Sequence, residues 1–323
     1  MKPLVSLVVP TYNHEKYVDS FIKSVLNISY DNMELIVSDD FSEDKTTEIF
    51  ENNLDILKKK FSSVRFNKNK KNLGIPANIN SVLNLINGKY VKFIATDDIL
   101  LSNSIEKLVD FYEKNGDAVL IYSNAYIVND AFNIDKDDLN KYKMIYRNNQ
   151  NTVYMFYERL FLKNIISAPT VMLKKTTIDE FGKFDENCFC EDTPYWLKIS
   201  YNRIVKFLNE PTVCYRRTKK PKGYRLSLGY CKKMYEENKF LLDTYISRII
   251  DKTYRNKIIF SRINQLFYYK EFIKNKEYDE DFRLMCYKYN VWPLNIFLYN
   301  TFDNMVNACK KAVKKVMRLE YEG

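Results

Sequence analysis

The sequence has little histidine and glycine, and its cysteines are scattered. One histidine, seven glycines and six cysteines occur in 323 residues, and only Cys188 and Cys190 lie close together. We therefore expect neither a Cys/His zinc site nor a disulfide framework, and the pattern favours a reducing cytoplasm. The single histidine, His14, has no partners for a catalytic triad, so we interpret it as a residue of a loop or of a helix start.

The sequence also has no long hydrophobic run. Its longest uncharged apolar stretch, residues 291–302, is interrupted by Pro293 and two asparagines, and a bilayer requires about 20 apolar residues. Residues 1–9 contain one lysine and stop at Pro10, which is too short for a signal peptide. We expect a cytoplasmic protein that is either free in solution or located at the inner face of the cell membrane.

The charge balance is basic, with 51 Lys and Arg against 41 Asp and Glu, a net charge of +10. Such a charge favours anionic partners, among them nucleic acid, anionic lipid and nucleotide diphosphates. No zinc-finger, RNP or helix-turn-helix signature is present, so a nucleic-acid partner is not expected.

The N-terminal part alternates apolar strand patterns with helical periodicity, which predicts an α/β fold with a mostly parallel sheet flanked by helices. Strands are predicted at 4–9, 34–38, 64–66, 90–95, 170–173 and 205–208. Helical spacing is seen around Val18 to Leu26, Ile79 to Ile86, Ile105 to Tyr112 and 192–201. Beyond about Tyr230 the pattern is helical, so we divide the chain into a catalytic domain, 1–225, and a helical C-terminal region, 226–323.

Two acidic pairs, Asp39-Asp40 and Asp97-Asp98, directly follow predicted strands. Ligands bind at the carboxyl ends of strands in open α/β sheets. Adjacent carboxylates repel each other, and Mg²⁺ or Mn²⁺ prefers one or two carboxylates together with substrate phosphates. The pairs therefore indicate a metal and nucleotide site, although aspartates also begin turns and cap helices.

A third acidic pair, Glu191-Asp192, precedes an apolar helix. The helix dipole alone favours acidic residues there, and a carboxylate in this position can also serve as a general base. A run of six cations begins at Arg216 and ends at Arg225. It is either a solvated face or a loop that closes over a diphosphate.

Taken in order, six motifs resemble those of family 2 glycosyltransferases. They are residues 5–13 (VSLVVPTYN), 37–46 (VSDDFSEDKT), 72–74 (NLG), 93–98 (FIATDD), 181–185 (FGKFD) and 191–192 (ED). The resemblance implies a GT-A fold, inversion at the anomeric carbon, a nucleotide-sugar donor with UDP favoured, and Mn²⁺ or Mg²⁺ as cofactor. It covers residues 3–217 and lacks the Gln-x-x-Arg-Trp signature of processive members, which favours a single sugar addition.

The resemblance assigns roles to individual residues. Asp97 and Asp98 would be the metal and ribose carboxylates, and Asp192 would deprotonate the acceptor with Glu191 beside it. The residues implied in nucleotide-sugar binding are Pro10, Thr11, Tyr12, Asp39, Asp97 and Arg216.

The sequence departs from the family pattern at three places. Ala95 stands where many members have an aspartate, and Asn78 stands near a frequent arginine. A histidine that many members carry soon after the segment matching Tyr215-Arg216 is missing. A degenerate transferase that acts as an assembly subunit therefore stays open. A nucleotidyltransferase is the other alternative, but the Gly-rich phosphate loop expected for it is absent.

The acceptor is expected to be a saccharide or a lipid-linked saccharide, and the polar segment 129–151 is expected to influence its choice. Near the C-terminus, apolar residues from Met305 to Met317 alternate with lysines at helical spacing. Such a helix either lies on an anionic membrane surface or packs on the catalytic domain or on a second copy of the chain.

Overall fold

The computed structural model describes residues 2–146, 156–217 and 227–292. The chain divides into two compact units, Met1–Lys222 and Gly223–Gly323. The strands described in the first unit are β1 (Val5–Thr11), β2 (Met33–Asp39), β3 (Ser63–Lys68), β4 (Tyr90–Phe93), β5 (Ile99–Leu100), β6 (Leu120–Val128), β7 (Val171–Lys174) and β8 (Val205–Arg216). Its helices are α1 (Glu15–Leu26), α2 (Thr46–Asn52), α3 (Leu54–Lys60), α4 (Ile75–Asn80), α5 (Ser104–Lys114), α6 (Phe156–Leu162), α7 (Lys175–Phe181) and α8 (Asp192–Ser200).

The strands form one mixed sheet with the order β3-β2-β1-β4-β7-β6-β8-β5. The pairs β3-β2, β2-β1, β1-β4 and β6-β8 are parallel, whereas β7 is antiparallel to both neighbours and β5 is antiparallel to β8. The predicted α/β class with a mostly parallel sheet and flanking helices is confirmed. Since β1, β2 and β4 are parallel, their carboxyl ends lie along one edge.

Most residues of the central strands β1 and β2 are apolar, as expected for a parallel sheet covered by helices. All seven residues of β2 are buried, and so are six of the seven in β1. Helix α1 places Val18, Phe21 and Val25 in the same hydrophobic core. The apolar periodicity that predicted this helix therefore corresponds to its packed face.

The helix predicted through Ile79 to Ile86 is wrong in its extent. Helix α4 begins earlier, at Ile75 after Gly74, and ends at Asn80, and only a short 3₁₀ turn, Leu83–Leu85, follows. Polar side chains compete with the helical pattern here: Asn80 Nδ2 donates to the Phe184 carbonyl at 2.9 Å, and Ser81 Oγ donates to the Asn78 carbonyl at 2.7 Å. The Ser81 bond is a local one of the kind that favours a turn over helix continuation, whereas the Asn80 bond joins the end of α4 to a residue 104 positions away.

Strand β6 was not predicted from the sequence, because Ser123 and Asn124 interrupt its apolar pattern. Both side chains are buried. The Ser123 hydroxyl bonds the Thr212 hydroxyl at 2.6 Å, and Asn124 Nδ2 donates to the Tyr146 carbonyl at 2.9 Å. These partners lie far away in the chain, so a buried polar pair looks like a loop in the sequence alone.

The second unit, in its described part, consists of α9 (Leu228–Tyr245), α10 (Lys252–Ile273) and α11 (Lys276–Lys288). Ser227 caps α9 and Asp251 caps α10 through side-chain oxygens. None of the helices described in the chain is both long and apolar enough to cross a membrane. The predicted amphipathic helix near Met305 to Met317 lies outside the described residues.

Gly88 allows a close approach between the segment before β4 and strand β1. A Cβ atom at this position would lie 2.5 Å from the Ser6 backbone nitrogen and 2.9 Å from the Tyr90 carbonyl oxygen. Neither backbone atom can move without disturbing the pairing of β1 with β4. We expect Gly88→Ala to lower the free energy of unfolding by about 2–4 kcal/mol, measured by denaturant titration.

Gly116→Ala is the matched control, because a Cβ there meets nothing within 4 Å. Its free energy of unfolding should change by no more than about 0.5 kcal/mol. Equal effects of the two substitutions would contradict the packing argument.

Candidate active site

The site is built at the carboxyl edge of β1, β2 and β4, where ligands bind in open α/β sheets. Thr11 at the end of β1 is in register with Asp39 at the end of β2. The Thr11 hydroxyl also bonds the Thr96 hydroxyl at 2.8 Å. The segments that begin with Pro10, Asp39 and Thr96 are therefore brought together, as the sequence predicts.

The carboxylates of Asp39 and Asp40 are buried and hold neighbouring loops. Asp39 accepts hydrogen bonds from the Ser42 backbone N–H at 2.9 Å and from the Ser42 hydroxyl at 2.5 Å. Asp40 accepts the N–H groups of Leu73 at 2.8 Å and of Gly74 at 2.9 Å. The second and third sequence motifs thus meet through Asp40, while the predicted contact of Asp39 with a nucleobase stays a prediction.

Asp97 and Asp98 differ in exposure. The Asp98 side chain is buried, with the residue 4% exposed, and it accepts the Arg216 backbone N–H at 2.8 Å. Burial and the neighbouring Asp97 carboxylate raise the pKa of Asp98 well above its usual value. Asp97 is partly exposed, and its carboxylate accepts no hydrogen bond from the described residues.

Arg216 is buried at the end of β8. Its guanidinium donates to the backbone carbonyls of Asp97 at 2.9 Å and of Asn129 at 2.8 Å, and it lies 5.2 Å from the Tyr17 ring centroid. Arg216 therefore links the turn that carries Asp97 and Asp98, which we call the acidic turn, to the start of the polar segment 129–146. Its predicted contact with the nucleotide-sugar stays a prediction.

Lys92, in the middle of β4, was not singled out by the sequence analysis. It is fully buried, and its ammonium group donates to the carbonyl oxygens of Pro169 and Val171. Burial lowers the pKa of Lys92 to about 7, although the nearby Asp98 carboxylate acts in the opposite direction. The one visible signal was a lysine inside an otherwise apolar strand.

Asp192 is the first residue of α8, as predicted. Its Oδ1 atom accepts the Thr193 backbone N–H at 2.5 Å, and its Oδ2 atom accepts Asn164 Nδ2 at 2.5 Å. Burial raises the pKa of Asp192, and these hydrogen bonds oppose the increase. Glu191 precedes it at the helix start.

The phenol of Tyr215 is influenced by two acidic groups, the pair Asp97-Asp98 and the carboxylate of Asp192. Burial raises the pKa of its phenol, and the carboxylates of Asp98, Asp97 and Asp192 raise it further. The phenol is therefore within electrostatic range of both the strand-end pair and the helix-start carboxylate. Tyr215 was noted in the sequence only as part of a motif, because its position between distant acidic residues depends on the fold.

His14 directly precedes α1, which agrees with its interpretation as a residue at a helix start. Its Nδ1 atom lies 2.6 Å from the Thr96 hydroxyl. The side chain therefore contributes to the turn that carries Asp97 and Asp98. This contact could not be predicted from the sequence, since the two residues are 82 positions apart in the chain.

No group of three or more His, Cys, Asp or Glu side chains within residues 2–146, 156–217 and 227–292 is arranged to hold a metal ion. A cation that shares its ligands with a diphosphate needs only one or two carboxylates. The partly exposed Asp97 and the buried Asp98 fit that requirement, because a cation would stabilise the charged form of Asp98, which burial and the Asp97 carboxylate disfavour. The donor set therefore suits a cation that binds together with the nucleotide.

The fold is that of solved GT-A glycosyltransferases. Staphylococcus aureus TarS 1–349 in complex with UDP-GlcNAc superposes with a TM-score of 0.58 at 19% identity, covering 81% of this chain and 72% of that one. The mannosyltransferase PcManGT from Pyrobaculum calidifontis, in complex with GDP-Man and Mn²⁺, gives a TM-score of 0.56 at 13% identity, covering 95% and 81%. At these identities the similarity shows the fold alone.

The family follows from the sequence. The sequence model described as "Glycosyl transferase family 2" matches residues 6–174, which is more than half of the chain. The chain therefore belongs to glycosyl transferase family 2.

Three relatives illustrate the range of similarity. An uncharacterized glycosyltransferase of Methanocaldococcus jannaschii is 31% identical over 62% of this chain and 66% of its own length, just under two thirds. The GalNAc(5)-diNAcBac-PP-undecaprenol beta-1,3-glucosyltransferase of Campylobacter jejuni is 25% identical over 96% and 97%. The UDP-Glc:alpha-D-GlcNAc-diphosphoundecaprenol beta-1,3-glucosyltransferase WfgD of Escherichia coli is 28% identical over 69% and 78%.

Proposed function

We propose that the chain is an inverting, metal-dependent glycosyltransferase that moves one hexose from a UDP-sugar to a hydroxyl group of a lipid-linked saccharide. Membership of glycosyl transferase family 2 supports the reaction class. The observation that carries the site assignment is the meeting of the ends of β1 and β2 with the turn that carries Asp97 and Asp98, through the register of Thr11 with Asp39 and the hydrogen bond between the Thr11 and Thr96 hydroxyls. Asp39, Asp97 and Asp98 come from distant parts of the chain and lie at this edge, and the negative charge of Asp192 raises the pKa of the same Tyr215 phenol as the charges of Asp97 and Asp98.

The donor nucleotide would bind at the ends of β1 and β2. Pro10, Thr11 and Tyr12 line this edge, and Asp39 has lone pairs beyond those that accept hydrogen bonds from Ser42. A carboxylate can accept the N–H of a uracil base. The name of the E. coli relative includes UDP-Glc, which supports UDP as the nucleotide.

The donor diphosphate would lie beside the acidic turn. Asp97 and Asp98 would hold a Mn²⁺ or Mg²⁺ ion together with diphosphate oxygens, since both cations favour carboxylate and phosphate ligands. When bound, such a cation neutralises charge on the leaving nucleotide. Arg216 holds the acidic turn in place by donating a hydrogen bond to the Asp97 carbonyl oxygen.

Asp192 would act as the general base. The acceptor oxygen forms a bond to the anomeric carbon while the bond from that carbon to the diphosphate oxygen breaks, and its electron pair leaves with the nucleotide. The acceptor hydroxyl proton passes to the Asp192 carboxylate. Attack opposite to the leaving group inverts the anomeric configuration. Glu191 is proposed to help hold the acceptor.

The acceptor is proposed to be lipid-linked because the C. jejuni and E. coli relatives are named for undecaprenol-linked saccharides. The polar segment 129–146 lies beside the acidic turn, since Arg216 binds the Asn129 and Asp97 carbonyl oxygens. It is therefore suited to contact the acceptor. A lipid-linked acceptor also places the enzyme at a membrane surface during the reaction.

Asp192→Asn tests the assignment of the base. The substitution keeps the shape of the side chain but removes its ability to take a proton, so we expect kcat to fall by about 10²–10⁴-fold. The affinity for UDP should be unchanged. Transfer is measured with a panel of labelled UDP-sugars and a polyprenyl-diphosphate-linked saccharide. A wild-type rate in the variant would overturn the assignment.

Asp97→Ala tests the nucleotide site separately. We expect it to weaken UDP binding in the presence of Mn²⁺ by about ten-fold or more, because it removes a ligand that the cation would share with the diphosphate. Calorimetric titration measures the affinity. Asp117→Asn is the control, because this exposed residue precedes β6 at the opposite edge of the sheet. Equal UDP affinities in Asp97→Ala and the control would contradict the proposal.

A further inference from the structure

The carboxylate of Asp192 accepts a hydrogen bond from a loop asparagine that belongs to none of the sequence motifs. Asn164 lies just after α6, 28 positions before Asp192, and its Nδ2 donates to Asp192 Oδ2 at 2.5 Å. We propose that Asn164 is a positioning residue that aims the Asp192 carboxylate at the acceptor hydroxyl. This inference rests on the proposed function, in which Asp192 is the general base.

The orientation of the Asn164 amide is fixed by a second hydrogen bond. Its Oδ1 atom accepts the Ile166 backbone N–H at 3.0 Å. An amide oxygen must face that N–H, so the amide nitrogen must face the carboxylate. The donor toward Asp192 is therefore set by the backbone of the loop.

The hydrogen bonds make the two oxygens of Asp192 unequal. Oδ1 accepts both the backbone N–H of Thr193 at 2.5 Å and its hydroxyl at 3.2 Å. Oδ2 accepts only the Asn164 amide among the hydrogen bonds described. Each carboxylate oxygen has two lone-pair sites. Oδ2 thus keeps one for the acceptor proton, and the amide fixes the direction of that site.

The same hydrogen bond favours the charged form of the carboxylate. Burial raises the pKa of Asp192, and the Asn164 donor is one of the groups that oppose this increase. Loss of the donor should raise the pKa of Asp192 further. A general base must be ionised to accept a proton. As the pH is lowered, the variant would therefore lose activity at a higher pH than the wild-type protein does.

Two substitutions separate the donor from the loop bond. Asn164→Asp keeps an oxygen that can accept the Ile166 N–H but puts a second oxygen in place of the Nδ2 donor. Asn164→Ala removes both the acceptor and the donor. For both variants we expect kcat to fall by about ten- to a hundred-fold. The acid limb of the kcat/KM profile should move to higher pH, while UDP affinity stays unchanged. The control is Asn187→Ala, which changes an exposed asparagine with no described side-chain hydrogen bond.

A double-mutant cycle distinguishes positioning from loss of folding. If Asn164 acts through Asp192, adding Asn164→Ala to Asp192→Asn should cause little further loss of kcat. An unchanged acid limb in both variants, or a full additional loss in the Asp192→Asn background, would overturn the inference. Wild-type transfer by Asp192→Asn alone would instead show that the proposed base is wrong.

A second, independent feature is the backbone of Phe41, which has φ 66°. A bulky residue in this left-handed region is strained, and such strain is characteristic of ligand sites. Burial does not compensate for it, because Phe41 is 47% exposed. The next residue, Ser42, nevertheless holds this loop in place. Its hydroxyl donates to Asp39 and accepts the Asn13 backbone N–H at 2.9 Å.

We infer that the Phe41 ring packs against the nucleobase of the donor. Phe41 follows Asp39, the residue proposed to accept the base N–H, by two positions, so it lies just beyond the carboxyl end of β2 and is about half exposed there. A stacked base would account for an exposed aromatic side chain in a strained backbone. This inference also rests on the proposed nucleotide site.

Phe41→Ala and Phe41→Gly test this role. Both remove the ring, so the Kd for UDP should rise by about five- to fifty-fold in each. Phe41→Gly should unfold at a temperature equal to or above that of Phe41→Ala, because glycine tolerates positive φ. Ile56→Ala is the matched control, with the same 47% exposure on α3. Wild-type UDP affinity in both Phe41 variants would overturn the inference, whereas absence of UDP binding to the wild-type protein would refute the nucleotide site itself.

Discussion

The burial of the Asp98 carboxylate next to that of Asp97 is the constraint on which the site depends. Burial, and after it the neighbouring negative charge, raises the pKa of Asp98 well above the usual value. The protein opposes this cost with the backbone N–H of Arg216 and with the nearby Lys92 amine. Asp97 remains partly exposed beside them. A cation and its diphosphate are the natural partners for such an arrangement.

The sheet and its loops hold this arrangement in place. Parallel strands bring the ends of β1, β2 and β4 to one edge, and buried polar side chains then fix the loops that leave them. Asp40 binds the Leu73 and Gly74 backbone, and Arg216 binds the Asp97 and Asn129 carbonyl oxygens. Hydrogen-bonded charges of this kind are costly to disrupt, because removing one partner leaves the other buried and unpaired. The site is therefore built largely before any ligand binds.

Much of this edge could be predicted from the sequence, because apolar runs that end in acidic pairs report both a buried strand and its terminus. The strand β6 could not be predicted in this way, since its buried Ser123 and Asn124 find partners only in the folded chain. The role of Asn164 could not be predicted for a similar reason. A single asparagine in a loop belongs to no recognisable motif, and only the fold brings it to Asp192. The surroundings of Tyr215 and Lys92 likewise depend on residues that are distant in the chain, so the sequence alone does not reveal them.

The most direct test of the account is the affinity of the wild-type protein for UDP, measured by calorimetry with and without Mn²⁺. If Asp97 and Asp98 hold a cation together with the diphosphate, each ligand must strengthen the binding of the other. We expect Mn²⁺ to lower the Kd for UDP by about ten-fold or more. An equal affinity for UDP in the presence and absence of Mn²⁺ would contradict the account.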